Sequence, residues 1–378
     1  MIFINQNFTQ WLSLSLTGSL YTEFRVGTSS STSIVVDWGD GTLVSYSGSL
    51  MTISHTYSSA FTGNIKITCS SGNDLINRID NFSESNTANS ITFTTAQIGA
   101  FTNLQYFICL TSNLISGNLS SLSSTLIEIQ FYGSNTVTGD IGLLPSNLLK
   151  IHLSGYNTTY GNIANLPTTL LQYNNLGVNT TTGNIGLLPS GLTLYSNDGY
   201  NTTSGSIVSL PSGLTYYYNH GNNTTSGSIA SLPSGLTIYS NYGYNTTSGN
   251  ISGLPSSLTF YRNIGNNVAT GNIANIPSNI EYFHNQGLNT VVDYTSGRTW
   301  KDPMRTFISL PTSASGGLSS TEVDNLLINL SVPNWVITNV LDTKIVNIGG
   351  YNAARGTSTA VNNAVATLIS KGVTVITN

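Results

Sequence analysis

Charge is what this chain has least of. Only 7% of its 378 residues are Asp, Glu, Lys or Arg, against roughly 25% in an ordinary soluble domain. With Lys+Arg 11 and Asp+Glu 15 the net charge is −4, so no basic field exists to neutralise a phosphate backbone, and nucleic acid is excluded as a partner. Long apolar runs are missing as well: 39% of residues are hydrophobic, but no stretch approaches the roughly 18 needed for a membrane-spanning helix, which argues against membrane insertion. The two cysteines, Cys69 and Cys109, have no metal or redox spacing and are expected as buried thiols rather than a disulfide. Between Gly139 and Val292 the only charged residues are Asp140, Lys150, Asp198, Arg262 and Glu281, and the histidines, His55, His152, His220 and His284, are scattered. With no nucleophile elbow, zinc spacing or phosphate-cradling loop, the expectation is no enzyme, no metal site and no cofactor. Residues Met1–Asn7 lack the basic and apolar regions of a secretion signal, so export by that route is not expected; lysis of an infected cell requires none.

What is abundant is Ser, Thr, Asn, Gly and Tyr, and it is periodic. Gly-x-Ile/Leu recurs with glycine at 117, 139, 161, 183, 205, 227, 249 and 271, every interval 22 residues. Six residues later stands a proline from Pro145 to Pro277, with Ser123 in the first copy, and three further on an aliphatic residue, Leu126 through Ile280. A period of this length marks a solenoid. Side chains alternate along a strand, so Tyr173, Tyr195, Tyr217, Tyr239, Tyr261 and Phe283 share a face with Asn175, Asn197, Asn219, Asn241, Asn263 and Asn285. The opposite face carries Lys150 and Arg262. Burying unpaired charge costs several kcal/mol whereas stacked amides can bond one another, so the Tyr/Asn face is predicted to point inward. A second Asn series, Asn135 to Asn289, follows glycines Gly133 to Gly287 and is expected to turn the chain. The Asn-Thr-Thr triplets beginning at Asn157, Asn179, Asn201, Asn223 and Asn245 match the glycosylation sequon but read as part of these turns.

The early copies carry the pattern L-x-x-L-x-L, as Leu104, Phe107, Cys109; Leu126, Ile129, Phe131; Leu148, Ile151, Leu153. This stretch, residues 95–294, resembles leucine-rich repeats, especially the FNIP and LPX types in which Leu-Pro-Ser-x-Leu replaces the convex helix. It departs from them where the third inward position becomes Asn. Upstream, Asp37-Trp38-Gly39-Asp40-Gly41-Thr42 with His55-Thr56-Tyr57 resembles the PKD domain, which implies a small β-sandwich over residues 1–72, with 73–94 a connector or N-terminal cap. Trp38 is expected in its core and Asp40 on turn amides; Asp37 and Asp40 alone fall short of the oxygen count of a Ca²⁺ site. Downstream, residues 295–378 change texture. Strands are predicted at 306–310, 344–348 and 373–376, and helices at 319–330 and 358–371, an α/β C-terminal cap closing the parallel sheet. The segment from Gly317 to Asp324 and on through Asn352-Ala353-Ala354-Arg355 is similar to the C-terminal module of phage tail proteins and related bacterial surface repeat proteins. The fold class is therefore mainly β: sandwich, leucine-rich-repeat-like solenoid, α/β cap.

Across the copies, core and turn positions are nearly constant while outward strand positions vary. The candidate ligand-binding residues on this exposed strand face are Leu194, Tyr216, Tyr218, His220, Ile238, Tyr242, Phe260, Arg262, Tyr282 and His284. Aromatic side chains on a constant scaffold suit recognition, although an unconstrained surface would also vary. The resemblances imply a non-enzymatic virion surface protein of a bacteriophage, a tail fibre, receptor-binding or capsid-decorating protein. Its N-terminal domain would contact other virion proteins and its solenoid a host cell-surface glycan or protein; a homo-oligomer is left open. Two alternatives remain at this point: an architectural spacer or capsid cement, in which nine coils at about 4.8 Å each would make a rod of roughly 40 Å, and a bacterial cell-surface adhesin.

Overall fold

The computed structural model describes residues 12–69, 75–84, 90–109, 114–287, 291–295, 297–312, 316–337 and 343–378. The chain divides into two compact units, Met1–Thr181 and Thr182–Asn378.

In the first unit, two long strands, Leu12–Asp37 and Leu43–Cys69, pair antiparallel. Phe24, Val26, Ile34, Val36, Ile53, Ile65 and Ile67 are wholly buried. Ile67 pairs with Leu12 on one side and Val36 on the other, so the two strands bend back and close a small sandwich around these side chains. The turn between them is built by the motif residues. Thr42 N–H donates to Asp40 Oδ1 (2.9 Å) and Gly39 N–H to Asp37 Oδ1 (3.0 Å). His55 Nε2 lies 2.8 Å from Asp40 Oδ2, its ring stacks on the buried Trp38 at 4.9 Å, and Tyr57 OH donates to Trp38 O (3.1 Å). The His55 contact holds the Asp40 carboxyl below its ordinary range.

The segment expected as connector or cap makes the change from antiparallel to parallel pairing. Ile76–Glu84 runs antiparallel to the first strand and parallel to Tyr106–Cys109, and Ser90–Thr94 does the same between the first strand and Leu114–Asn118. Coils then stack at the predicted period, Tyr106↔Glu128 and Glu128↔Lys150. Their interiors are apolar: Ile129, Phe131, Val137, Ile151 and Leu153 are essentially inaccessible. Cys69 and Cys109 are buried thiols, not joined in a disulfide.

In the second unit each coil has two strands, not one. Tyr216–His220 lies parallel to Leu194–Gly199 and Ile238–Tyr242, while Thr224–Ser228 lies parallel to Thr202–Ser206 and Thr246–Asn250. The Asn-Thr-Thr triplet is thus only partly a turn: Asn223 ends the bend, and the two threonines open the second strand, the first exposed and the second, Thr225, buried. A 3-10 turn follows, Ile229–Ser231, capped by Ser228 Oγ accepting from Ala230 N–H. Pro233 then starts the return, with Leu236 N–H donating to Pro233 O (3.0 Å). The glycine of Gly-x-Ile is required twice over at Gly205. Its φ is +104°, and a Cβ there would stand 1.9 Å from Oδ1 of the cap residue Asn184 in the coil before. Among the glycines expected to bend the chain, Gly177 and Gly287 do not take positive φ; at Gly287 the need is space, since a Cβ would meet Asn267 O at 2.4 Å.

The predicted inward face is inward. Tyr195, Tyr217, Tyr239 and Tyr261 are wholly buried, as are Asn197, Asn219, Asn241 and Asn263. Successive rings stack at 5.6, 5.5 and 5.7 Å, continuing to Phe283 at 5.3 Å and Phe307 at 5.4 Å. Each amide serves two hydroxyl partners through a fixed geometry. Asn219 Nδ2 donates to Tyr217 OH (3.1 Å) and to Thr203 Oγ1 of the preceding coil (3.0 Å), and Asn241 and Asn263 repeat this with Tyr239 and Thr225, and with Tyr261 and Thr247. The turn asparagines satisfy backbone: Asn223 Nδ2 donates to Asn219 O (3.1 Å) and to Tyr242 O of the next coil (2.5 Å). Buried polar groups are tolerable where they find a partner, as the Nδ2 groups of Asn219, Asn241 and Asn263 do.

The C-terminal elements fall where the pattern puts them. Strand Thr306–Pro311 adds parallel to Tyr282–Gly287, followed by Ile345–Asn347 and Thr374–Ile376. Helix Ser320–Leu330 starts from a capping box between Ser319 and Glu322, and helix Thr359–Ser370 from Ser358. No helix of the described residues is long and apolar enough to cross a membrane.

Candidate functional site

Every candidate residue belongs to the second unit, and strand register brings them into rows. Leu194, Tyr216, Ile238, Phe260 and Tyr282 form one row, Tyr218, Ser240, Arg262 and His284 the next, and His220, Tyr242, Ile264 and Gln286 a third. The first row is half-buried throughout, and within it Phe260 and Tyr282 stack at 4.0 Å and 14°.

The face is less open than alternation implies. His220 is buried, at 7% exposure, packed on the Tyr218 ring at 3.6 Å and hydrogen-bonded through Nε2 to Ser240 Oγ at 2.7 Å. Expecting it as an exposed contact residue is corrected on that point: the small Ser240 beside it lets the ring lie down into the sheet. Burial, aided by the Arg262 charge, lowers the His220 pKa to about 3, and the same two causes lower His284 to about 4, against a weak opposing bond to Gln286. Both rings are neutral at pH 7. Burial also raises Tyr218, to about 12, with Asp198 adding to it. Tyr242 is the open member of the set, 46% exposed.

Arg262 stands at the centre. Its guanidinium carbon lies 5.8 Å from the Tyr242 ring centroid, and its Nε is buried without a hydrogen-bond partner. Among the described residues no carboxylate reaches it; Glu281, by contrast, pairs with Arg305 at 3.4 Å.

Beside this row runs a groove that the sequence pattern did not reveal. About 340 Å³ in volume, it is lined by Tyr242, Tyr244, Asn222, Ile264, Asn266 and Gln286, with Thr312 at its end. A second hollow of about 420 Å³ shares Gln286 and Thr312 and continues to Tyr351 and Asn378. Tyr244 sits in the bend after the strand and is 62% exposed. Its signal was the other variable column of the repeat, Tyr200, Asn222, Tyr244 and Asn266, which lies one residue before the turn asparagine. Among the described residues no three His, Cys, Asp or Glu side chains gather in a metal-binding group.

No family model matches this sequence. No curated protein matches it either. Among solved structures the chain is similar to a plant peptide hormone receptor, RGFR1 in complex with RGF2, at 22% identity and a TM-score of 0.45 over 65% of this chain and 41% of that one. It is also similar to the leucine-rich-repeat ectodomain of the Arabidopsis receptor kinase HAESA, in complex with an N-terminally extended IDA peptide hormone, at 18% identity and a TM-score of 0.38 over 66% of this chain and 53% of that one. The match spans 41% of the first of these solved chains and 53% of the second.

Proposed function

We propose that this chain is a non-enzymatic recognition protein displayed outside a cell, as a surface component of a bacteriophage particle: a tail fibre, receptor-binding or decorating protein. The PKD-like N-terminal sandwich would seat it on other virion proteins, and the repeat face of the second unit would meet a host-surface glycan or protein. The observation that carries this reading is the contrast within each coil. Tyr217, Asn219 and Thr203 recur almost unchanged in the interior, while the outward rows and the bend change from coil to coil and are rich in Tyr, Phe and His. A scaffold held constant beneath a varied aromatic surface is what selection for contact leaves behind. The resemblance of residues 317–355 to phage tail modules supports the particle assignment, and many copies on one particle would turn weak contacts into firm attachment.

The test is adsorption. Labelled full-length protein is applied to a panel of bacterial strains beside a Tyr216→Ser, Tyr218→Ser, Phe260→Ser variant whose circular dichroism matches the parent. Binding to a strain that falls at least tenfold in the variant supports the reading. Equal binding by the variant removes the face from the mechanism.

A further inference from the structure

We propose that the groove between Tyr242 and Gln286 is the seat of an acidic sugar, with Arg262, which lies against the Tyr242 ring outside the groove lining, reaching the sugar's carboxylate. The inference rests on the recognition reading above and names the ligand class of that face.

Four observations converge on it. The groove, about 340 Å³, falls in the size range of small-ligand sites. Its lining includes two tyrosines, Tyr242 and Tyr244, and three residues with side-chain amides, Asn222, Asn266 and Gln286. Rings stack on the apolar face of a sugar and amides bond its hydroxyls, each donating and accepting. None of the groove's lining residues is charged. Arg262 is the only Lys or Arg between Thr182 and Gly287, and among the described residues it forms no ion pair. Its Nε is without a partner, no acidic side chain among the described residues is in reach, and the neighbouring histidines, His220 and His284, are held neutral. The Tyr242 ring, 5.8 Å from the guanidinium carbon and itself a groove wall, ties the cation to the groove edge.

A guanidinium whose Nε is buried without a partner is costly to keep, and a planar fork is matched by a carboxylate. One cation beside a neutral, amide-lined groove fits a ligand with one carboxylate among many hydroxyls. A polyanion would need several cations, and a neutral sugar would leave Arg262 unpaired.

The experiment uses the full chain and calorimetric or NMR titration with 3′-sialyllactose, a glucuronate-terminated disaccharide, the methyl esters of both, lactose, and a short peptide with a free C-terminal carboxylate. The expected result is binding of at least one acidic sugar at least tenfold tighter than its ester or lactose, lost at least tenfold in Arg262→Gln and lost less in Arg262→Lys, which keeps charge without the fork. No binding of either acidic sugar, equal binding of acid and ester, unchanged binding by Arg262→Gln, or preference for the peptide overturns it. The Tyr216→Ser, Tyr218→Ser, Phe260→Ser variant separates this failure from failure of the broader reading. Adsorption to cells lost in that variant but kept in Arg262→Gln leaves the recognition face standing and the carboxylate contact refuted. Adsorption kept in both refutes both.

Discussion

Two stretches of the repeat solve one problem with opposite chemistry. In the coil at Lys150–Gly155 the three facing interior positions are Ile151, Leu153 and Val137; in the coil at Tyr216–His220 they are Tyr217, Asn219 and Thr203. All three positions change together, between Ile151, Leu153, Val137 and Tyr173, Asn175, Thr159, where Asn175 already donates to Tyr173 OH and Thr159 Oγ1 at 3.0 and 2.9 Å. The backbone period does not change. What the pair teaches is that the coil is specified by its glycines, caps and turn asparagines, and that the interior is an exchangeable insert that must be replaced as a set. A mixed set fails visibly in the last copy. There Phe283 and Ala269 stand where Tyr and Thr belong, and neither amide atom of Asn285 has a hydrogen-bond partner.

The sharpest way to break the comparison is to cross the sets. Asn219→Leu places an aliphatic side chain among Tyr217 and Thr203, taking an amide partner from each of two buried hydroxyls, and is expected to cost about 3 kcal/mol by urea unfolding. Leu153→Asn, an amide among Ile151 and Val137, should cost a similar amount; a cost near zero for either would mean the sets are independent. Gly205→Ala, strained at φ +104° and pushed into Asn184, should lose about 2 kcal/mol. Gly139→Ala, at φ +121° and 2.5 Å from Asn118 Oδ1, should lose the same despite its apolar interior. If the losses differ widely, backbone and insert are coupled. Completing the set in the last copy, Ala269→Thr with Phe283→Tyr, gives Asn285 its two partners and should gain about 1 kcal/mol. No gain, or a loss, would show that the site is already adapted to Phe. On the outer surface, Glu128→Gln removes the Lys150 pair, 3.2 Å long and half-exposed, and should cost under about 0.5 kcal/mol, vanishing in high salt. The smallest effect is electrostatic: Arg262→Gln should raise the His220 and His284 titrations in NMR by less than burial lowers them, since burial is the leading cause in both. Unfolded histidines protonate near 6.5 while these resist until about 3 and 4. Stability should accordingly fall as pH drops through that window, because the unfolded chain binds protons that the folded one refuses.

Much of this was legible in the sequence. The period, the inward Tyr/Asn face and the C-terminal strands and helices follow from spacing and alternation, which are local signals. The second strand was not, because Thr-Thr-Ser-Gly has the composition of a turn and is straightened only by pairing with the coils on either side. Thr203 was missed as the partner of Asn219 for a related reason: the two are 16 residues apart and meet only once the coil closes. The candidate rows were readable as rows, but their openness was not. His220 is hidden by Ser240, a residue of the next coil, and the groove is assembled from Asn222, Tyr244, Asn266 and Gln286 in successive copies plus Thr312, outside the repeat altogether.

The reach of Thr203 to the following coil has a genetic consequence. Because the bonds from each interior amide to Tyr and Thr span either 2 or 16 residues, unequal crossing-over between near-identical coding units that adds or removes whole periods keeps Thr, Tyr and Asn in phase across the join. Length can therefore change by recombination without orphaning a side chain, so long as the exchange stays among copies of one chemical set. The variable outer residues travel with each unit, and a new arrangement of contacts arrives on a chain that already folds.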